Sequence, residues 1–563
     1  MSRIIITGEQ NFSVLRQNNF FYIDKTKFIK DWWLGGDPVT LITRPRRFGK
    51  TLTLDTVNTF FSPEFLGRSD LFEGLEIFED EQFRNLQGTI PVIFISFANI
   101  KEPNYKQTVA LIKDIISKAY RYFIKRLDPR KLTDWEKDLF AAMTNKMTDV
   151  ELKMSLNNLA ECLTYYYKNK PIILLDEYDT PLQEAWLKKF WEPLVDFLRG
   201  FFNATFKTNR YLGRALITGI TRVSKESIFS DMNNLEVVTT TSDFYTDCFG
   251  FTEQEVFTAM DEYGLTSYDE VKRWYDGFIF GSQKEIYNPW SIVNYLKRKK
   301  FAAYWADSSS NKLVGKLIAR GDEIIKQETE DLLNGKSIIT RLDEQIVFSQ
   351  LYDNQDAIWS FLMASGYVKP LSFNYDTEKY EIALTNYESQ RIFKTLISEW
   401  FNKDRISRNY FQEALLSDNL DEINEQMQNI TENSFSYFDT NKNQAENFYH
   451  AFVLGLMVDL TPRYNIYSNR QSGFGRYDIC LFPKKINDRG IIIEFKVMKP
   501  KIEKNLKETC ANALQQIRDK HYINDLLKNG VAENNIYVYG FAFKGQQVLV
   551  CGGAFVDLKT QKN

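Results

Sequence analysis

Histidine and cysteine, which often build metal sites and nucleophilic sites, are scarce in this sequence. The 563 residues include two histidines, His450 and His521, and five scattered cysteines with no C-x-x-C pair. The sequence therefore does not indicate a zinc site, a histidine-rich metal site or a disulfide framework, and a Ser-His-Asp triad is disfavoured.

Long apolar segments are also missing. No run approaches the roughly 18 apolar residues that a membrane span requires, and the opening residues MSRIIITGEQNF lack the apolar stretch of a signal peptide. No internal repeat and no long linker rich in Pro, Gly or Ser is visible. We therefore expect a cytoplasmic protein without a membrane partner.

The composition is that of a folded protein with several domains. Hydrophobic residues make up 44% of the chain and aromatic residues 15%, which is typical of globular proteins, and the length favours two to four domains. The net charge of −3 is uneven, because residues 441–563 carry +7 and the rest of the chain −10. The basic segment indicates a polyanionic partner, such as nucleic acid, unless its lysines form only a solvated face.

The stretch LITRPRRFGKTLTL, residues 41–54, is similar to a phosphate-binding loop without its first glycine. Gly49, Lys50 and Thr51 fit the pattern G-x-x-x-x-G-K-[ST], but Arg44 occupies the leading glycine position. The β-branched run before the loop predicts a strand, and the apolar spacing after it predicts a helix. Backbone N–H groups at the start of such a helix bind phosphates, the lysine reaches the terminal phosphates, and the threonine binds Mg²⁺. Arg44 predicts a loop of different shape rather than the loss of the site.

A second motif lies at the end of another apolar strand. KPIILLDEYDTPL, residues 170–182, ends its apolar run in Asp176 and Glu177. In ATPases of the additional-strand type, the aspartate at this position holds Mg²⁺ and the glutamate polarises the attacking water. Both carboxylates have to lie at the carboxyl edge of a buried parallel strand, where they face the phosphates.

Two further strands complete a predicted parallel α/β core up to about residue 240. They fall in residues 89–100 and 213–224, and they alternate with predicted helices at 107–125, 151–168 and 184–208. Thr218 suits a polar sensor beside the γ-phosphate. Arg222 could form an ion pair with a phosphate group. Alternatively, it could be a surface arginine or one that anchors the loop.

These motifs resemble the bacterial AAA-ATPase-like family over roughly residues 3–290. The resemblance is carried by FYIDKTKFI, TRPRRFGKTLTLDTVNTFF, LLDEYDTPL, ITGITRVSKESIFSDMNNL, FGFTEQEV and WYDGFIFGSQKEIYNPWSI. The loop of that family reads R-P-R-R-F-G-K-[ST], so Arg44 follows the family pattern. The resemblance implies a P-loop ATPase domain at residues 1–240 and ATP with Mg²⁺ as cofactors, and the composition of residues 241–340 predicts a helical lid-like extension. It marks Lys50, Thr51, Asp176 and Glu177 as nucleotide-site residues, to which we add as predicted contacts Arg46, Arg47, Phe48, Gly49, Thr218 and Arg222.

The basic end of the chain carries a separate set of polar residues. SGFGRYDICLF and GIIIEFKVMK predict two apolar strands joined by a polar turn, with Asp478 on the first strand and Glu494 and Lys496 on the second. Residues i and i+2 of a strand point to the same face, and Asp478 can reach that face from the neighbouring strand. Two carboxylates and a lysine on one face can bind a hard cation and align a water. As a bare pattern, however, this could be a surface ion pair on an edge hairpin.

The D…E-x-K pattern resembles the PD-(D/E)XK nuclease superfamily, which implies an α/β restriction-endonuclease-like domain at residues 436–563. The resemblance implies that Asp478, Glu494 and the carbonyl of Phe495 bind Mg²⁺ or Mn²⁺, and that Lys496 positions or activates the attacking water. It also implies a further metal-side carboxylate upstream and two residues from the downstream helix motif, which here are Glu446, Gln516 and Tyr522. Gln471 departs from the glutamate found in many relatives, outside the core triad.

We therefore predict an ATP-binding and ATP-hydrolysing protein coupled to a metal-dependent nuclease. Its partner would be nucleic acid, with DNA favoured, and it could form a homo-oligomer. Residues 341–435 would be a connecting helical or winged-helix-like region. Defence against foreign DNA is the setting that such a fusion suggests. The alternatives are a nucleotide-switched scaffold or nucleic-acid-binding protein without cleavage activity, and a nucleotide sensor that does not hydrolyse ATP.

Overall fold

The computed structural model divides the chain into two compact units, residues 1–308 with 337–390, and residues 309–336 with 391–563. The predicted boundaries near residues 240, 340 and 435 stay a prediction. The structure describes residues 2–222, 228–229, 232–305, 314–315, 317–318, 323–333, 335–343, 351, 354–400, 405–434, 453, 456–457, 460, 462–468, 471–472, 475–485, 487–499, 502–545 and 547–560.

The helices and strands of the described residues are numbered along the chain. The helices are α1 Phe12–Gln17, α2 Lys27–Gly35, α3 Lys50–Phe61, α4 Glu81–Leu86, α5 Tyr105–Ile124, α6 Asp134–Ala142, α7 Asp149–Tyr167, α8 Thr180–Leu187, α9 Trp191–Phe202, α10 Glu253–Glu262, α11 Tyr268–Tyr275, α12 Pro289–Arg298, α13 Glu323–Leu333, α14 Gln355–Ala364, α15 Tyr387–Trp400, α16 Arg405–Ser417, α17 Leu420–Ser434, α18 Leu506–Asp519, α19 Asn524–Lys528 and α20 Phe555–Thr560. The strands are β1 Val39–Thr43, β2 Val92–Ser96, β3 Ile172–Asp176, β4 Arg214–Gly219, β5 Leu235–Val238, β6 Phe251–Thr252, β7 Phe278–Phe280, β8 Gln283–Tyr287, β9 Ile338–Thr340, β10 Val368–Asn374, β11 Lys379–Leu384, β12 Tyr464–Ser468, β13 Gln471–Ser472, β14 Gly475–Arg476, β15 Ile479–Pro483, β16 Gly490–Val497, β17 Ile536–Lys544 and β18 Gln547–Ala554.

Five parallel strands form the central sheet of the first unit, in the order β2-β3-β4-β1-β5. β1 and β3 are buried along their whole length, as expected for apolar strands covered on both faces of a parallel sheet. The carboxyl ends of parallel strands lie at the same edge, so Asp176, Thr218 and the loop after β1 come together there. The predicted N-terminal α/β fold is confirmed.

The helices around this sheet lie where they were predicted, except that one predicted helix is divided. The helix predicted after the loop coincides with α3, whereas the predicted helix 184–208 is divided into α8, α9 and a π-helical turn, Asn203–Lys207. Lys189, between α8 and α9, has a φ of 65°. A left-handed residue cannot continue a right-handed helix, so the chain starts a new one.

Two small antiparallel sheets also belong to the first unit, in the orders β6-β8-β7 and β10-β11-β9. The extension predicted as helical is therefore mixed, since residues 241–340 contribute strands as well as α10–α12. Trp274, Tyr275 and Tyr287 are buried in one aromatic and aliphatic cluster.

The second unit is built on a five-stranded sheet in the order β12-β15-β16-β17-β18, in which only β16 and β17 pair in parallel. The side chains of β16 alternate between two cores. Ile491, Ile493 and Phe495 pack in one cluster, and Ile492 packs in the other with residues of α18 and α19. The period of a strand thus places Glu494 and Lys496 on the face towards α18. None of the described helices is long and apolar enough to cross a membrane.

Candidate functional sites

The P-loop, residues 44–51, leads from β1 directly into α3. Gly49 is the N-terminal cap of α3 with a φ of 77°, and Arg47 has a φ of 67°. A left-handed arginine is strained, and such strain persists where surrounding contacts impose it, often at functional sites. The Lys50 ammonium donates to the carbonyls of Arg44 at 2.9 Å and Pro45 at 2.8 Å. The lysine therefore lies folded against its own loop.

Arg44, in place of the usual glycine, is a buried anchor for a distant segment. Its side chain has no solvent exposure, and its guanidinium donates to the carbonyls of Thr239 at 2.6 Å and Phe244 at 3.2 Å. The guanidinium also lies 4.6 Å from the ring centroid of Phe280, a cation–π contact. Burial lowers its pKa to about 9, so it stays charged at neutral pH. Arg44 therefore ties the P-loop to the residues that follow β5.

Replacing Arg44 with the glycine that is usual at this position should therefore destabilise the protein. We expect Arg44→Gly to lower the free energy of unfolding by about 3 kcal/mol, because buried carbonyls lose their donor and a cavity forms. Thermal or urea unfolding would measure this, with the exposed Arg130→Gly (89% side-chain exposure) as the control for the glycine itself. An Arg44→Gly variant as stable as the wild type would refute the anchoring role.

The rest of the P-loop packs against the segment 278–290. Phe48 is buried, with its ring 4.7 Å from that of Phe278. The Arg47 guanidinium lies 4.4 Å from the ring centroid of Trp290, and the Asn288 amide donates to the Arg46 carbonyl at 3.3 Å. The motif WYDGFIFGSQKEIYNPWSI thus supports the P-loop, a role that the sequence pattern alone did not indicate.

Asp176 contacts two other predicted residues of the nucleotide site. Its carboxylate accepts hydrogen bonds from the hydroxyls of Thr51 and Thr218, both at 2.8 Å, and from Ser96 at 3.4 Å. Burial, and then the charge of Glu177, raise the pKa of Asp176. The structure therefore brings the strand-end carboxylate to the start of α3, as the two motifs predicted.

Glu177 and Arg222 flank this group. Glu177 has a φ of 49° and accepts a hydrogen bond from the Thr180 hydroxyl at 3.0 Å. Arg222 is half-buried three residues after the end of β4. Among the described residues, no hydrogen bond or ion pair joins Arg222 to the P-loop, so its phosphate role stays a prediction.

This arrangement fits ATP with Mg²⁺. The N-terminus of α3 offers backbone N–H groups for phosphates, and Thr51 and Asp176 place two hard oxygen donors side by side, as a P-loop site for Mg²⁺ requires. Burial lowers the pKa of Lys50, and the nearby carboxylates of Glu177, Asp176 and Asp179 oppose that effect. Bound, Mg²⁺ would neutralise developing charge on the phosphates, while Lys50 would contact them directly.

The second site lies where β15 and β16 begin to separate. Asp478, immediately before β15, accepts a hydrogen bond from the backbone N–H of Phe495 at 2.7 Å. Glu494 is only 1% exposed, and its carboxylate lies 3.5 Å from the ammonium of Lys496. Glu494 and Lys496, the predicted i, i+2 pair, therefore share one face of β16. Asp478 lies against this same strand.

Two residues from the downstream segment complete this group. The Gln516 amide, on α18, donates to Glu494 Oε1 and, at 3.3 Å, to the Tyr522 hydroxyl. Burial raises the pKa of Tyr522, and the charges of Glu494 and Asp478 add to this. Tyr522 therefore lies close enough to both carboxylates for their negative charges to disfavour its ionised form. Glu446 lies outside the described residues.

The donor set fits a hard divalent cation. It consists of carboxylates without sulfur or imidazole, although no group of three or more His, Cys, Asp or Glu suited to a metal occurs in the part of the chain that the structure describes. Asp478 and Glu494 would hold the ion, whereas the predicted contribution of the Phe495 carbonyl is not tested by any contact. Bound there, the cation would polarise a phosphoryl oxygen and lower the pKa of a water.

Two parts of the chain are similar to known protein families. Residues 6–229 match the AAA-ATPase-like family, described as predicted AAA-ATPase, and residues 444–552 match the PD-(D/E)XK nuclease superfamily. An uncharacterized protein in the vnfD 5′ region of Azotobacter chroococcum mcd 1 is 27% identical over 307 residues, which are 54% of each chain. The chain thus matches about half the length of that curated relative.

Among solved structures, a signal transduction ATPase with numerous domains and a tetratricopeptide repeat sensor, from Pyrococcus horikoshii, is 13% identical, with a TM-score of 0.25 over 78% of this chain and 54% of that one. Residues 6–229 are therefore similar to the AAA-ATPase-like family and residues 444–552 to the PD-(D/E)XK nuclease superfamily, in agreement with the domain architecture expected from the sequence.

Proposed function

We propose that the protein hydrolyses ATP in its first unit and cuts nucleic acid with a divalent metal in its second. The observation that carries the nuclease part is the convergence of Asp478, Glu494 and Lys496 around a buried strand, with Gln516 holding Glu494 from α18. The ATPase part is supported by the Thr51–Asp176–Thr218 group at the P-loop.

Burial of Glu494 favours a catalytic metal site over a surface ion pair. A carboxylate that is 1% exposed loses its hydration, and positive charge next to it, such as that of Lys496 at 3.5 Å, offsets that cost. A divalent cation between Asp478 and Glu494 would stabilise both carboxylates in their charged form. The ammonium of Lys496 would then be available for the attacking water and for the transition-state charge.

The decisive experiment incubates the full chain with single-stranded DNA, duplex DNA or RNA, with Mg²⁺, Mn²⁺ or EDTA, and with or without ATP. Metal-dependent cleavage is expected, most strongly on DNA. Nucleotide-dependent binding without cleavage would instead support the alternative of a switched binding protein. Comparing hydrolysis of ATP with and without nucleic acid tests the other half of the proposal. A role in defence against foreign DNA is an extension of it, which phage challenge of expressing cells would test.

Nucleic-acid binding by the second unit should depend strongly on salt. Lys499, Lys504 and Lys507 are exposed between β16 and the first turn of α18, next to the strand that carries Glu494. If they contact phosphates, each Lys→Gln change should reduce the slope of log K against log salt by about 1. Fluorescence anisotropy with a labelled DNA at several salt concentrations would measure the slope.

A matched control is Lys137→Gln, an exposed lysine of the first unit, which should leave the slope unchanged. An affinity that does not vary between low and physiological salt would mean that these lysines form only a solvated face.

A further inference from the structure

Asp179, the last acidic residue of the DEYD motif, is buried and holds the loop that follows β4. It is 1% exposed, and its Oδ2 accepts from the backbone N–H groups of Ile220 at 3.0 Å and Thr221 at 2.9 Å. The Thr221 hydroxyl donates to the same oxygen at 2.8 Å, and the Tyr178 hydroxyl donates to the Thr221 carbonyl at 2.8 Å. Every polar group of Thr221 is thus held by residues 178 and 179.

The same carboxylate is connected to the P-loop. The Gln183 amide, on α8, donates to Asp179 Oδ2 at 3.0 Å, and its carbonyl oxygen accepts from the Arg46 guanidinium at 3.5 Å. Arg46 belongs to the P-loop, and Arg222 directly follows Thr221. One buried carboxylate therefore links two arginines that are predicted to meet phosphate groups.

Holding two backbone N–H groups does not by itself require a buried charge. However, Asp179 Oδ2 accepts from four donors, namely these two N–H groups, the Thr221 hydroxyl and the Gln183 amide, and a carboxylate holds them more strongly than a neutral asparagine oxygen would. Asp179 Oδ1 has no hydrogen-bond partner in the described residues. It lies close to Gly219, since a Cβ atom added to that glycine would be 2.9 Å from this oxygen. The negative charge is therefore close to the carboxyl edge of the sheet, where the arginines and Lys50 need to be held in place.

We propose that Asp179 is a positioning residue for ATP hydrolysis, which fixes Arg222 through Thr221 and Arg46 through Gln183 at the phosphates of the nucleotide. The inference rests on the proposed ATPase function. Asp179 would not touch the nucleotide itself. It would act on turnover, because a misplaced phosphate contact raises the barrier to hydrolysis more than it weakens binding of the ground state.

Steady-state ATP hydrolysis and binding of a fluorescent ATP analogue test this with three variants of the full chain. Asp179→Asn removes the charge, and Thr221→Val removes one hydrogen bond without changing the shape of the side chain. Asp196→Asn, an exposed carboxylate on α9 (75% exposed), is the control. We expect kcat to fall by about 10²-fold in Asp179→Asn and about tenfold in Thr221→Val, with the analogue's Kd within about twofold.

The readout specific for positioning is the combination with Arg222→Ala. If Asp179 acts through Arg222 and Arg46, Asp179→Asn should lower kcat less in the Arg222→Ala background than in the wild type, and little further when Arg46→Ala is also present. Full additivity of the two losses, or wild-type turnover of both Asp179→Asn and Thr221→Val, overturns the inference while the ATPase proposal stands. A wild-type protein that hydrolyses no ATP overturns both.

Discussion

Glu177→Gln should bind ATP with Mg²⁺ as tightly as the wild type and should lose at least about 10²-fold in ATP turnover. Glu177 directly follows Asp176, the proposed Mg²⁺ ligand, and accepts a hydrogen bond from the Thr180 hydroxyl at 3.0 Å. Glutamine has the same shape and can accept that hydrogen bond, but it cannot polarise or deprotonate the attacking water. The loss should therefore appear in kcat and not in affinity.

The complementary variant is Lys50→Ala, which should lose nucleotide binding. The Lys50 ammonium lies within 2.9 Å of two loop carbonyls, so it is already at the P-loop and has to exchange these carbonyls for phosphate oxygens when ATP binds. Binding of a fluorescent ATP analogue and release of phosphate separate the two variants, and Lys137→Ala, an exposed lysine, is the control. Equal nucleotide affinity in Lys50→Ala and the wild type would disprove the P-loop assignment.

The parts of the nucleotide site that the sequence predicted are set by local patterns. An apolar run that ends in a polar residue predicts a buried parallel strand with that residue at its carboxyl edge, which is where Asp176 and Thr218 lie. Lys50–Phe61 becomes α3 because left-handed Gly49 precedes it and extended Ser62 ends it. Such patterns involve only residues that are close together in the chain, so the sequence alone predicts them.

The supports of the site were not predictable in the same way, because their partners are far apart in sequence. Arg44 contacts Thr239, 195 residues away, and Arg46 contacts Asn288, 242 residues away. Asp179 looks like an acidic loop residue until β4 brings Thr221 beside it. A pattern of residue types specifies none of these pairs, since any carbonyl or hydroxyl can satisfy the same donor or acceptor.

In the second site, too, a local pattern predicted some contacts, whereas others depend on packing between residues that are far apart in the sequence. The period of two along β16 predicted that Glu494 and Lys496 share a face, and the 3.5 Å ion pair bears this out. The positions of Gln516 and Tyr522 came from a resemblance and not from periodicity. Their approach depends on the close packing of α18 on β17, where a Cβ on Gly540 would lie 2.8 Å from the carbonyl oxygen of Cys510. Only glycine leaves room for that helix.

Asp478→Asn should reduce nucleic-acid cleavage by about 10³-fold or more while affinity for the nucleic acid stays close to that of the wild type. The asparagine oxygen can still accept the hydrogen bond from the Phe495 N–H that Asp478 accepts at 2.7 Å, so the strand pairing should be kept while a metal-binding charge is lost. Cleavage with Mn²⁺ and titration calorimetry with Mn²⁺ alone would measure both effects. Asp519→Asn, an exposed carboxylate on α18, is the control.

Lys496→Ala should act differently, because the lysine would serve the reaction and not the metal. It should slow cleavage and leave Mn²⁺ affinity equal or higher, since one positive charge next to Glu494 is removed. ATP hydrolysis should survive in both variants, because its residues belong to the other unit. Cleavage by Asp478→Asn at the wild-type rate would place the reaction elsewhere in the chain. A wild-type protein that cuts no nucleic acid under any metal and nucleotide condition would leave the second unit as a binding module.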